Sequence, residues 1–374
     1  MADDLLKYRI AFASIRGMGC ELARQILDLV PSERDFFEMK RADLAQLLPV
    51  KSRLLGDDYR RQLLDSTDKE LEFLNKNSIG VTYFTDSDFP RRLAATPDGP
   101  VLIYYKGDPG CLNADKMISI VGTRHATPYG AHFCDALVRD ISGRIADAVI
   151  VSGLAYGIDI AAHRAALSHR VPTMAVLAHG LNTIYPSQHR NDALNILENG
   201  GMIITDYTSQ AAMSRGNFLA RNRIIAGLSD CTIVVESAEK GGAIVTAGIA
   251  QSYNRDVFAI PGKVTDIYSA GCNSLIRNNT ATLITSCDDL MKAMRWEMIG
   301  DETTPRQRSI FPELTAEEQP VVDYLRANSD VHINTLAASL KIPVAELMGL
   351  LVELEFKGIV IASPGNRYSS AMLQ

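Results

Sequence analysis

The residues able to do chemistry gather in a few glycine-rich turns. In "SIVGTRHATPYG" (119–130) an apolar run enters Gly122, Thr123 and Arg124, and a helical pattern follows. In "VIVSGLAYGIDIAAHRAAL" (149–167) the small residues Ser152, Gly153, Ala155 and Gly157 close an apolar run and open another helix. Small residues there let a ligand approach the backbone, and the start of the following helix offers amides and a positive dipole end to an anion. A third stretch, "SRGNFLARNRIIAGLSDCTIVVES" (214–237), sets Arg215, Arg221 and Arg223 around Phe218, with Asn222 between two arginines. Guanidinium forks bind phosphates bidentately, and an aromatic among them can stack single-stranded bases. In "ESAEKGGAIVTAGIAQSYNRDVFAIPG" (236–262) Lys240 precedes Gly241 and Gly242, with Thr246 one turn into a helix. Asn273, in a further Gly-rich polar turn, is a candidate donor.

What these turns lack is as informative. The dinucleotide fingerprint G-x-G-x-x-G is missing at 122–127, and the Walker order G-x-x-x-x-G-K-[ST] is missing at 240–246. Asp159 reads as a dipole or capping residue, and His163 as a packing residue with no partner spaced to form a triad. No catalytic residue, metal cluster or cofactor loop is expected, so the collected amides, arginines, lysine and aromatic point to a polyanion that is bound rather than transformed. The net charge of −6 excludes binding through bulk basicity and requires a local patch. Six scattered cysteines, Cys20, Cys111, Cys134, Cys231, Cys272 and Cys287, predict reduced thiols without a disulfide framework or zinc site. No run approaches the ~18 apolar residues of a membrane span, and the N-terminus has no signal pattern, so a cytoplasmic protein without membrane partners is expected.

These turns need elements that bring them to one edge. Apolar runs at 81–84, 101–105, 117–121, 148–152, 173–177, 202–205, 231–235, 257–260 and 281–285 read as strands. Helical patterns at 157–168, 189–199 and 242–253 fall between them. Several runs are apolar throughout, as strands covered on both faces are. The expected class is α/β, an extended Rossmann-like parallel-sheet core over residues 79–298. Residues 1–78 read as a small helical domain of helix-hairpin-helix or SAM-like type; its G-x-G turn lacks a basic cluster and reads as a glycine turn between packed helices.

Residues 299–314 are polar and proline-containing and read as a linker. Over 315–374, a capping-box pair Thr315/Glu318 precedes three helices, the third carrying Val344, Leu347, Leu351 and Leu354 on one face and stopping at Gly358. A hairpin completes a winged helix. Its third helix carries Glu346, Glu353 and Glu355 against Lys357, which argues for protein docking or a structural role rather than phosphate contact.

In their order, "VGTRHATPYG", "VSGLAYGIDIAAHRAAL", "FLARNRIIAGLS", "GGAIVTAGIAQ" and "AIPG" resemble the bacterial DNA-processing protein A family (DprA, also called Smf), as does the lead-in "FPRRLAATPDGPVLIYYKG" (89–107). The resemblance spans roughly residues 80–285. It implies a dimeric protein that binds single-stranded DNA and helps load the recombinase RecA in natural transformation, without a cofactor. Carried over by position, Arg124 matches a DNA-contacting arginine, and Phe218 with Arg221-Asn222-Arg223 matches the family pocket. Gly241-Gly242, Thr280-Ala281 and the stretch 185–192 depart from the usual pattern. Two other readings compete. A nucleotide-cleaving enzyme of the lysine-decarboxylase-like type would need a "PGGxGTxxE" loop, and "KGGAIVTAGIAQ" lacks the glycine before the threonine and the glutamate after it. A winged-helix transcription regulator is opposed by the acidic third helix.

Overall fold

Period-two burial builds the sheet. In the strand at 116–121, Met117 and Val121 point into one hydrophobic cluster, while Ile118 and Ile120 point into a second on the opposite face. Val149 and Val151 against Ala148 and Ile150 repeat this in the next strand. Both faces are therefore covered, and the runs are apolar on both faces, with the buried hydroxyls of Ser119 and Ser152 the polar exceptions within them.

The computed structural model describes residues 2–48, 55–296, 314–315, 317–328, 331–357, 359–363 and 366–370. Five helices open the chain: α1 (Ala2–Ala13), α2 (Cys20–Leu27), α3 (Glu33–Glu38), α4 (Arg41–Leu47) and α5 (Asp57–Asn77). Then follow β1 (Gly80–Tyr83), α6 (Arg91–Ala94), β2 (Leu102–Gly107), β3 (Lys116–Val121), α7 (Pro128–Arg144), β4 (Ala148–Ser152), α8 (Ile158–Ser168) and β5 (Thr173–Val176). Next come α9 (Arg190–Glu198), β6 (Met202–Thr205), α10 (Arg215–Leu228), β7 (Cys231–Val234), α11 (Gly242–Ser252), β8 (Asp256–Ala259), α12 (Ala270–Arg277), β9 (Thr282–Leu283) and α13 (Cys287–Met294).

The nine strands form one sheet in the order β1-β2-β6-β5-β4-β3-β7-β8-β9. From β6 to β9 all neighbours pair parallel; β1–β2 and β2–β6 pair antiparallel, so the core is a parallel sheet with an antiparallel edge. After β3 the chain moves outward through β4, β5 and β6, then returns to lay β7 on the other side of β3. This reversal is a switch point, where helices leave the sheet in opposite directions and a crevice opens at the C-terminal strand ends.

The chain divides into two compact units, residues 1–299 and 300–374. In the first, the N-terminal helices share the core of the sheet: Ile10, Phe12 and Phe36 belong to the same buried cluster as Leu102, Ile103 and Val176. The glycine turn before α2 docks on that core, the Cys20 amide donating to Gly99 O at 3.0 Å. Glu70 on α5 accepts the Ser209 amide at 2.8 Å. All six cysteines are buried and unpaired. Among the described residues no single helix is long and apolar enough to cross a membrane.

The second unit has α14 (Gln319–Ala327), β10 (Val331–His332), α15 (Ile333–Leu340), α16 (Val344–Phe356), β11 (Val360–Ser363) and β12 (Arg367–Ser370), with the strands ordered β10-β12-β11. The Thr315/Glu318 capping box forms reciprocally, at 2.9 and 3.2 Å. Lys357 donates to the buried Glu318 at 2.6 Å and so does not offset the exposed Glu346, Glu353 and Glu355. Leu347, Leu351 and Leu354 are fully buried, but Val344, expected on the same face, is 41% exposed. The linker, Leu314 apart, and Gly358 lie outside the described residues.

Candidate nucleic-acid interface

The C-terminal ends of β3, β4 and β7, together with α10, enclose a concavity of about 200 Å³. That is below the roughly 300–1,000 Å³ of a small-molecule or cofactor site. Four segments line it: Gly122-Thr123-Arg124, Ala155 with Asp159, Phe218 to Ile225 on α10, and Ser237 to Thr246.

The helix starts around it are not equally open. The α7 start is closed from within: the Glu236 carboxylate accepts the Thr127 amide at 2.9 Å and the Thr127 hydroxyl at 2.5 Å. The Thr123 amide donates to Glu236 O at 2.6 Å. A dinucleotide pyrophosphate would need these amides, so the lost fingerprint glycines and the buried Glu236 tell one story. At α8, the Ile158 amide donates to Thr123 O at 3.1 Å, and the amides of Gly153 and Ala155 face the Asp159 carboxyl and favour its charged form. After β3 and β4 the amides of Thr123, Thr127 and Ile158 are therefore engaged. The α11 start is open: Gly241 caps it without a side-chain bond, and the Gly242 and Ala243 amides have no acceptor among the described residues. Those residues line the concavity, with Thr246 one turn in, its hydroxyl donating to Gly242 O at 3.2 Å.

Arg221 is 4% exposed. Its Nη1 donates to Gly153 O at 2.7 Å and also to Val176 O, while its Nε has no partner. Burial draws the guanidinium down from its ordinary value, opposed by Asp159. Burial pushes the Asp159 carboxyl up, opposed by Arg221 and by the two amides. The pair is the charge centre of the concavity floor, a role beyond capping for Asp159 that appears only when α8 and α10 are packed together. At the rim Arg124 lies exposed, its guanidinium 5.4 Å from the Phe218 centroid. Gly157 makes this turn possible: its φ of +77° is a left-handed value, and a Cβ there would lie 2.6 Å from the Arg124 carbonyl carbon.

The structure thus gathers Gly122, Thr123, Arg124, Ala155, Phe218, Arg221, Asn222, Gly241, Gly242 and Thr246 around one concavity, with Gly153 and Gly157 shaping it. Arg215 is exposed at the start of α10, and Lys240 is exposed beside the Gly241 turn without lining the concavity. Three expected residues lie elsewhere. Ser152 is fully buried and donates to Ile120 O at 2.7 Å, joining β4 to β3. Asn273 is tied to Gly262 N and O, at 3.2 and 3.0 Å. Arg223 pairs with Asp206 at 2.6 Å and donates to Asp98 O, because two residues along a helix turn a side chain by about 200° from Arg221.

Sequence reasoning missed Glu236, Ser237 and Leu219, and also Tyr185, whose ring meets Phe218 edge-on at 5.7 Å between centroids. Only the aromatic type of Tyr185, in a loop after a predicted strand, signalled it. His163 packs as expected, its Nδ1 2.7 Å from Thr173 Oγ1, and burial lowers its pKa to about 3. Among the described residues no cluster of His, Cys, Asp and Glu could hold a metal ion.

The fold is that of a doubly wound α/β domain with a concavity at its switch point, and a winged helix stands in the same chain. The family model for DNA recombination-mediator protein A matches residues 80–295, and the DprA winged helix domain matches residues 305–366. The chain is a member of the DNA recombination-mediator protein A (DprA/Smf) family. It is 32% identical over 342 residues to a putative DNA processing protein DprA of Mycobacterium tuberculosis, covering 87% of this chain and 86% of that one. It is 34% identical over 288 residues to the protein Smf of Escherichia coli, covering 75% of each. The structure of DNA processing protein A from Streptococcus pneumoniae superposes with a TM-score of 0.65 at 30% identity, over 76% of this chain and 95% of that one. A Helicobacter pylori DNA processing protein A, whose structure is described for its single-stranded DNA binding mode, superposes with a TM-score of 0.51 at 30% identity, over 58% of this chain and 95% of that one.

Proposed function

We propose that this protein binds single-stranded DNA at the concavity between β3, β4, β7 and α10, protects it, and helps pass it to the recombinase RecA in transformation and recombination. It does so without a cofactor or a catalytic step, as a cytoplasmic homodimer. One observation carries the reading: the exposed Arg124 over Phe218 faces the same concavity as the open amides of α11. Backbone phosphate meets donors, and a base meets an aromatic. The single-stranded DNA binding of the Helicobacter pylori relative supports the reading. It also accounts for an acidic chain that binds a polyanion, since the donors are local and partly backbone.

The test is fluorescence anisotropy with labelled single-stranded and duplex oligonucleotides over a salt series. Single strands should bind better. Arg124→Ala should weaken binding and lower the log–log salt slope by about 0.7, the release expected from one phosphate contact on a single strand. Equal affinity for both forms, or an unchanged slope and affinity in Arg124→Ala, overturns the reading.

A further inference from the structure

In the free protein Phe218 is not an open platform. The Arg124 guanidinium lies over its ring at 5.4 Å, and the Tyr185 ring abuts it at 62°. Phe218 itself is half-buried, whereas Tyr185 is 44% exposed. A base arriving beside the Arg124–phosphate contact therefore meets the tyrosine face more readily than the phenylalanine face.

The loop that carries Tyr185 is held from behind. The Tyr185 amide donates to His179 Nε2 at 3.2 Å, and His179 Nδ1 donates to Gly180 O at 2.9 Å. Both ring nitrogens are thus committed, and burial keeps this imidazole neutral by lowering its pKa. The loop continues along the same edge: Gln188 accepts the Tyr156 hydroxyl at 2.9 Å, and Tyr156, 40% exposed, packs on His189 at 5.1 Å. Tyr156 follows β4 and Tyr185 follows β5, which are paired neighbours. Two other aromatics near these turns are differently engaged, Tyr268 stacked on His125 at 5.8 Å and the Tyr129 hydroxyl, at the start of α7, donating to Pro261 O at 3.0 Å.

We propose that Tyr185 is a base-stacking residue of this site, and that the strand leaves the concavity over the loops following β4 and β5. The inference rests on the single-stranded DNA reading above. It divides the labour at the rim: Phe218 orients Arg124 toward phosphate, and Tyr185 holds the neighbouring base. An aromatic face accepts any base, so the contact is indifferent to sequence.

The experiment compares wild type, Tyr185→Ala, Tyr185→Phe and Arg124→Ala in the full chain, using an oligothymidylate and an oligonucleotide carrying one 2-aminopurine. Removing one base–aromatic stack should weaken binding about 5- to 150-fold in Tyr185→Ala. The salt slope should stay that of wild type, because no phosphate contact is lost. Tyr185→Phe should restore both affinity and the fluorescence quenching of the stacked 2-aminopurine. Wild-type affinity in Tyr185→Ala, with Arg124→Ala impaired, removes the inference and leaves the site reading standing. Equal losses in Tyr185→Ala and Tyr185→Phe also overturn it, since a hydroxyl contact would then be responsible. Failure of the wild type to bind either oligonucleotide sinks both.

Discussion

Replacing Gly153 by alanine tests the geometry of the concavity floor. The backbone there is not left-handed, so alanine carries no conformational cost. Its Cβ would nevertheless lie 2.5 Å from Arg221 Cζ and Nη2, where ordinary contacts are about 3.5–4.0 Å. The guanidinium must withdraw by about 1 Å, which breaks its bond to Gly153 O or Val176 O. A lost bond from a charged donor costs about 1.5–3 kcal/mol, and overpacking about 1–3 kcal/mol. The lower flexibility of the unfolded alanine chain returns about 0.4–1 kcal/mol. The balance is a destabilisation of about 1.5–5.5 kcal/mol. Urea unfolding followed by circular dichroism reads it, and anisotropy with a single-stranded oligonucleotide should show weaker binding as Arg221 leaves its seat. Gly242→Ala is the control: nothing lies within 4 Å of its added Cβ, and it should be no less stable than wild type, gaining up to about 1 kcal/mol. A Gly153→Ala protein with unchanged stability and affinity would refute the packing argument.

Gly157→Ala forces a non-glycine residue to φ +77° and brings Cβ to 2.8 Å from Arg124 Cα, so it should cost at least about 1–3 kcal/mol and weaken oligonucleotide binding through the displaced Arg124 turn; a thermal melt and a titration check it. His163 is held neutral by burial, its pKa falling from 6.5 to about 3, so the stability this carries is complete above pH 6.5 and lost as the pH falls toward 3. At about pH 5 the loss is roughly 2 kcal/mol relative to neutral pH, which urea titrations should show in wild type and not in a folded His163→Gln variant. Glu236→Ala strips the carboxylate from the Thr127 amide and hydroxyl, and should destabilise the fold by about 1–2 kcal/mol; an unchanged unfolding midpoint would show that α7 does not depend on that cap.

The nine strands were legible because backbone geometry and burial act locally. A run such as Met117 to Val121, apolar except for the small Ser119, reads as a strand covered on both faces when glycine and a helix follow it. The concavity was partly legible for the same reason: Gly122, Arg124, Ala155 and Gly241 each stand at a strand-to-helix turn, and a parallel sheet brings such turns to one edge. The antiparallel β1–β2 edge was not legible, since an apolar run carries no sign of the direction of its neighbour.

What only the tertiary structure decided is which partner each polar group found. Arg221 and Arg223 are the same residue type two positions apart, yet one seats under the concavity and the other pairs with Asp206, because packing fixes which side of α10 meets the sheet edge. Glu236 closes the α7 start from the far end of β7, a choice made across the switch point and not along the chain. Tyr185 reaches Phe218 only because the loop after β5 folds over α10. Local sequence sets periodicity, turns and the inventory of donors. Through-space packing sets which of those donors are already satisfied, and so which remain to meet a ligand.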